Sequence, residues 1–487
     1  MVTLILILLP LLSGFALLLA KGNATKMAAL AVSVMALLAA IFLYTKLDPN
    51  AGVQFAYSLP WLPDAGIHFS LGIDGLSMLL ILLTTLLCPV IILSTFQTDI
   101  KNPSAFYALI LIMESGLLGV FTARDAFCFY LFWEAALIPV YFLAAIWGGT
   151  DRVRVTFKFF IYTIFGSLFM LASLVYLYYK TPGAHSADLS ALYALELDHT
   201  EQGFLFGGLF IAFAIKMPIF PFHTWQPDTY TESPTAATML LSGIMLKMGL
   251  YGVVRWLMPI VPEGMTEWSM PVMVLSVIGI IYGSIIAIQQ QDVKRLIAYS
   301  SFAHVGLMCA GIFSGSLIGL QGALIQMFAH GVNVVGLFMV AEVIAQRTNT
   351  REIANLGGIT RSTPQLSVFF VVLMLGSVAL PLTNGFIGEF MLLSAVFKYN
   401  SLMGVLAGLT IILGAVYMLR MFQRVMLGNT NERTEGFKDL NMTETIAFLP
   451  LIALVLWIGI YPKPFLALTE PTAQELLRLA AQASGME

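Results

Sequence analysis

Apolar and polar positions alternate along this chain in long blocks, with apolar runs separated by short polar interruptions. Runs of about 20 apolar residues, the length that crosses a bilayer, fall at roughly 2–20, 27–45, 74–95, 105–122, 125–147, 157–179, 203–221, 236–258, 270–289, 296–313, 318–345, 366–396, 402–427 and 444–462. The pattern predicts an all-α polytopic membrane protein of about fourteen transmembrane helices. Spans seven and twelve carry Pro218 and Pro381. Proline lacks an N–H and clashes with the preceding turn, so both spans are expected to break. The breaks lie five spans apart. An odd spacing makes a second copy enter the membrane from the opposite face, which predicts two inverted five-helix repeats, an architecture that recurs in transporters.

The expected organisation is residues 1–104 for spans one to three with an outer hairpin loop, 105–258 for the first repeat (spans 4–8), 270–427 for the second (spans 9–13), and 444–487 for span fourteen and a tail. Leu47–Asp74 reads as the outer hairpin, with turn residues Pro63, Asp64 and Gly66 between strand-like runs. Thr181–Gln202 is acidic and reads as irregular. Thr231-Glu232-Ser233-Pro234 reads as a helix start, with Thr231 or Ser233 as cap and Glu232 as a capping or surface residue. Thr469–Ser484 alternates Glu475 and Arg478 with Leu476, Leu477 and Leu479 and reads as an amphipathic surface helix.

Composition sharpens the class. The chain is 59% hydrophobic and 10% charged, against about 25% charge in soluble proteins. A net charge of −3 gives no case for nucleic acid. Met1–Ala20 has no basic start and no small-residue cleavage site before Lys21, so it reads as a retained first span. Basic residues outside the spans fall about two to one on one side. Lys21, Lys26, Lys101, Arg152, Arg154, Lys158, Lys294, Arg295, Arg347, Arg351, Arg361, Arg420, Arg424, Arg433 and Lys438 are on that side, and Lys46, Arg124, Lys180, Arg255, Lys398, Lys463 and Arg478 on the other. This places the odd-numbered loops in the cytoplasm and both termini outside.

The candidate chemistry lies in ionisable residues inside spans. These are Glu134 in span five, Lys216 in span seven beside the break, Lys247 in span eight, His304 in span ten, His330 in span eleven and Glu389 beyond the second break. Glu114 in span four is a further candidate, although one carboxylate can simply serve a polar contact. Glu342, near the end of span eleven, reads as facing Arg347. Charges at membrane depth are rare and line interiors or hydrated paths. Burial disfavours charge and an opposite charge nearby favours it, so carboxylates, lysines and histidines of this kind suit proton exchange. Structural ion pairs holding helices together are the plainer alternative. Cys88, Cys128 and Cys309 fall in apolar runs with neither metal nor disulfide spacing. The sequence shows no phosphate-binding glycine loop, metal cluster or haem pair, so no metal and no cofactor is expected in this chain.

Trp133-Glu134 with Pro139, Lys216-Met217-Pro218 with Pro221, His223 and Trp225, Asp228 to Pro234, Lys247-Met248-Gly249, and Asp292 to Gly306 through Tyr299 and His304 together carry a resemblance. From about Gly72 onward the chain resembles the antiporter-like membrane subunits of respiratory complex I, which are similar to the large subunits of sodium/proton antiporters. Glu389 resembles the M-type branch (chain 4), where the broken twelfth helix carries glutamate and relatives carry lysine. The resemblance implies a proton-translocating subunit of NADH:quinone oxidoreductase. In it Glu134 pairs with Lys216, Lys247 links two half-channels, His304 and His330 lie on the axis, and Glu389 ends the second half. It also implies FMN, iron–sulfur clusters and quinone in partner subunits, with L-type and N-type neighbours in the bilayer. A multisubunit Na+/H+ antiporter subunit, a membrane-bound hydrogenase subunit and an inert spacer are the competing readings.

Overall fold

The apolar runs form helices in the computed structural model of the protein, which describes residues 1–20, 22 and 24–483. Lys21 and the Ser484 end of the expected tail lie outside the described residues. Among the described residues, twelve helices are long and apolar enough to cross a membrane. They divide by burial. Thr235–Leu257 is buried along its whole apolar window, whereas Val2–Leu19 and Ser401–Met426 are 33% buried and turn apolar faces outward. A helix apolar all round sits inside a bundle, and one whose apolar surface points outward faces lipid or a partner. The Thr235–Leu257, Val293–Ile312 and Leu317–Thr348 helices therefore form the centre.

At both expected breaks the helix stops and restarts. His199–Lys216 opens with a capping box between Asp198 and Glu201 and ends at Lys216. Pro218 lies in the gap, and Gln226–Glu232 resumes the helical path. The gap leaves the Ile215 carbonyl without a helical partner, and the Trp225 indole N–H donates to it at 3.0 Å. The carboxyl end of the short helix is neutralised by cations: Arg351 donates to the Thr231 carbonyl at 2.8 Å and Lys294 to that of Ser233 at 2.5 Å. The second break separates Pro364–Ser377 from Asn384–Tyr399 and contains Pro381. Within it Ala379 and Leu382 take φ of +56° and +73°, a region that costs non-glycine residues energy and persists where surroundings enforce it. Gly459 enables one such contact, since a Cβ there would lie 2.2 Å from the Leu382 carbonyl oxygen.

Several local expectations change. Thr231 is no cap: it lies inside Gln226–Glu232 and its hydroxyl donates back to the Pro227 carbonyl at 2.7 Å. The next helix starts at Thr235 with Pro234 as its cap, because proline cannot supply the turn's first N–H but presets its φ. Glu232 accepts from the Asp151 N–H at 3.1 Å. Thr181–Gln202 contains a helical turn, Leu189–Tyr193, capped by Asp188. The loop between the second and third spans forms an antiparallel hairpin of Gln54–Leu62 and Ile67–Ile73, with Tyr57 opposite Leu71 and Leu59 opposite Phe69. The tail helix runs Lys463–Ala483, longer than expected. It buries Leu468, Ala473 and Leu476 and exposes Gln474, Glu475 and Arg478. It crosses the start of Gly75–Ser94 so closely that a Cβ on Gly75 would sit 1.9 Å from the Leu468 carbonyl oxygen.

Candidate functional site

Lys216 is the last residue of its helix and is 2% exposed. Its Nζ makes no hydrogen bond and sits 5.1 Å from the centroid of the Trp133 ring. A desolvated cation over a tryptophan face gains up to about 2 kcal/mol, which offsets part of the burial penalty. Glu134, the next residue after Trp133, is half-buried and its Oε1 also lacks a partner. No Glu134–Lys216 ion pair forms within 4.0 Å. The pairing that the resemblance implies is therefore open in this structure, with the aromatic face holding the ammonium.

Lys247 is wholly buried. It follows a π-helical turn, Leu241–Met245, inside the central helix. There the Leu246 N–H reaches back five residues to the Leu241 carbonyl. The Ser242 carbonyl, its partner in a regular α-turn, is taken instead by Lys247 Nζ at 2.7 Å. The same Nζ lies 2.9 Å from His330 Nδ1. Two glycines then allow tight packing on the first broken helix. A Cβ on Gly249 would fall 2.7 Å from the Met217 nitrogen, and one on Gly252 2.4 Å from the Phe213 ring.

The row continues across the bundle. His330 and His304 rings are 5.7 Å apart between centroids. His304 Nδ1 is 2.7 Å from the Ser300 carbonyl, and its Nε2 is 3.0 Å from the Ser377 carbonyl and 3.2 Å from Glu389 Oε1. Ser377 ends the helix before the second break, so its carbonyl is one of the orphans a helix end leaves. Both His304 nitrogens face only acceptors, so a ring with two N–H donors satisfies the site. His330 Nδ1 is hydrogen-bonded to the Lys247 amine, and its Nε2 has no partner. Glu389 is 3% exposed and also receives Gln326 Nε2 at 3.5 Å. A cavity of about 10 Å³, the size of one water, lies among Ser300, Ser301, His304, Gln326, His330 and Asn333. Lys247, His330, His304 and Glu389 thus join spans eight, eleven, ten and twelve in one run of titratable groups. Between Lys216 and Lys247 no hydrogen bond forms.

Glu114 is wholly buried beside the Cys88 thiol, and it stands apart from this row. Glu342 does not face Arg347: it accepts from the Thr235 hydroxyl and from Gln346 Nε2 at 2.9 Å, while Arg347 pairs with Glu444 at 2.7 Å. Arg255, counted above among the outer basic residues, is 2% exposed and pairs with Asp74 at 2.6 Å. Lys294 is 3% exposed. Sequence reasoning missed the Ser242 and Ser377 carbonyls, Gln326 and Asn333. Pro381, whose missing N–H would otherwise reach back four residues, hinted only that the Ser377 carbonyl would be freed. The three cysteines are buried and free. Among the described residues no group of three metal-ligating side chains forms.

A helical bundle crossed by a buried row of lysine, histidine and glutamate, with broken helices beside the row's ends, defines an ion-translocating membrane subunit. The family described as NADH:quinone oxidoreductase/Mrp antiporter, TM, matches residues 123–414. The chain is 42% identical to NADH-quinone oxidoreductase subunit M of Rickettsia conorii, over 91% of this chain and 90% of that protein. To the subunit M of Rhodobacter capsulatus it is 37% identical, over 94% and 91%. A chain of respiratory complex I from Thermus thermophilus superposes with a TM-score of 0.92 at 32% identity, covering 99% of this chain and 100% of that one. The Mrp complex from Dietzia sp. shares the fold, with a TM-score of 0.86 at 19% identity and 99% coverage of both chains. The chain belongs to the NADH:quinone oxidoreductase/Mrp antiporter family and, within it, to the subunit M branch of NADH-quinone oxidoreductase.

Proposed function

We propose that this chain is a proton-translocating membrane subunit of NADH:quinone oxidoreductase, a translocase with no redox centre of its own. The observation that carries the reading is the contact series from Lys247 through His330 and His304 to Glu389. In this reading Glu134, Lys216, Lys247, His304, His330 and Glu389 carry the proton. FMN, iron–sulfur clusters and quinone work in partner subunits, and redox energy reaches this chain through L-type and N-type neighbours. The bundle comprises fourteen spans, with spans 4–8 and 9–13 as inverted repeats around the breaks at Pro218 and Pro381. It sits in a bacterial inner membrane with both termini on the periplasmic side.

The mechanism follows from the open first pair. When Glu134 closes on Lys216, the carboxylate stabilises the ammonium. When the pair opens, as here, Lys216 keeps only the Trp133 face and loses its countercharge, which frees its proton for transfer toward Lys247. Charge arriving at Lys247 loads His330, and the proton moves through His304 to Glu389. The Lys247–His330 and His304–Glu389 steps are short, and rearrangement is needed at the Lys216–Lys247 gap and between His330 and His304, whose rings share no hydrogen bond. Glu134→Ala and Lys216→Ala variants of the intact complex test this in proteoliposomes. Both are expected to assemble and to lose most NADH-driven proton transport. Pumping at the parental rate by both would refute the assignment.

A further inference from the structure

A cavity of about 610 Å³ opens at the outer end of the bundle and plays no part in the row described above. Asp74, Arg124 and Arg255 form its charged floor, Tyr193 one side, and Thr472 and Glu475 of the tail helix the other. The acceptors there are already taken. Asp74 receives Arg255 Nη2 on both oxygens at 2.7 and 2.6 Å, and its Oδ1 also receives the Ser77 N–H at 3.0 Å. Both Glu475 oxygens are held by Arg478 at 2.8 and 2.7 Å.

The donors are in surplus. Arg255 is 2% exposed, and its Nε has no hydrogen-bond partner. The Arg124 guanidinium makes no hydrogen bond and only approaches Asp74 at 3.7 Å. Two guanidinium groups therefore share one carboxylate, which leaves a net positive charge and free N–H groups in a half-enclosed space. A guanidinium is a planar fork matched to the paired oxygens of phosphate. The volume lies in the range of small-ligand sites, about 300–1,000 Å³. The tail helix that walls the cavity is amphipathic, and helices of that kind lie at the headgroup level of a bilayer.

We propose that this cavity is a phosphate-type oxyanion site, in which Arg124 takes either an anionic phospholipid headgroup or free phosphate and the buried Arg255 adds to the positive charge beneath it. The full chain in neutral detergent is titrated with phosphatidylglycerol against phosphatidylcholine, and with sodium phosphate against sodium chloride at equal ionic strength. Bound lipid is counted by native mass spectrometry, and the thermal midpoint is followed. Phosphatidylglycerol or phosphate is expected to bind and raise the midpoint, while phosphatidylcholine and chloride do not. Arg124→Ala is expected to weaken that binding at least tenfold, and Arg124→Lys, which keeps the charge without the fork, to weaken it less. A response to the lipid alone assigns a headgroup, and a response to phosphate as well assigns a free oxyanion. The site is refuted if neither probe binds the parental chain, a result that needs no variant to fold, or if Arg124→Ala binds as the parent does.

Discussion

Replacing Glu389 by glutamine keeps the size of the side chain and removes its capacity to hold a proton as a carboxylate does. In the folded protein Glu389 Oε1 lies 3.2 Å from His304 Nε2, deep in the bundle, and receives Gln326 Nε2 at 3.5 Å. A hydrogen bond to a charged group is worth about 1.5–3 kcal/mol, and each 1.4 kcal/mol is about tenfold in rate. Losing it at the end of the row should slow proton passage roughly ten- to a hundredfold. Glu389→Asp retains the titratable group one methylene further from His304 and should fall between the parent and the glutamine variant. The assay is dye-reported acidification of proteoliposomes holding the intact complex, at matched rates of NADH oxidation. Equal pumping by Glu389→Gln and Glu389→Asp would show that protonation at this position does not matter.

Other substitutions test other parts of the framework. Arg255→Ala leaves Asp74 buried with only the distant Arg124 as countercharge, and truncating one partner of a buried pair costs about 3–5 kcal/mol; a marked drop in the chain's thermal midpoint is expected. Adding Asp74→Asn to that variant should recover part of the drop, and no recovery would mean that the pair is not the cause. Gly249→Ala places a methyl group against rigid backbone of the first broken helix, so a loss of about 1–3 kcal/mol in stability is expected by thermal unfolding. His330→Phe keeps a ring but deprives Lys247 of its hydrogen-bond partner at 2.9 Å; pumping should fall while assembly, read by native gel, is retained.

The sequence disclosed depth and interruption better than partnership. Apolar runs located the helices, and Pro218 and Pro381 located both breaks, because proline acts on its own turn. The lysines, histidines and carboxylates inside apolar runs stood out because hydropathy alone makes them conspicuous. Which of them meet was hidden. Asp74 and Arg255 are 181 residues apart, and Arg255 read as an outer loop residue until packing buried it. Glu342 has a neighbouring arginine in sequence, yet the helix points its carboxylate at Thr235, 107 residues away. The π-turn that frees the Ser242 carbonyl has no signature in Leu241-Ser242-Gly243-Ile244-Met245, since it arises from how the central helix fits its neighbours. The tail helix was legible as amphipathic, but the glycine that seats it, Gly75, gave no local sign of that role.

The central claim is that protons cross between the two halves of the bundle through Lys247. Its most direct test is the number of protons pumped per NADH oxidised by the intact complex carrying Lys247→Met, which fills the same buried space without a titratable group. An assembled complex that still oxidises NADH and has lost most of its proton transport is expected. A parental proton-to-NADH ratio in that variant would contradict it.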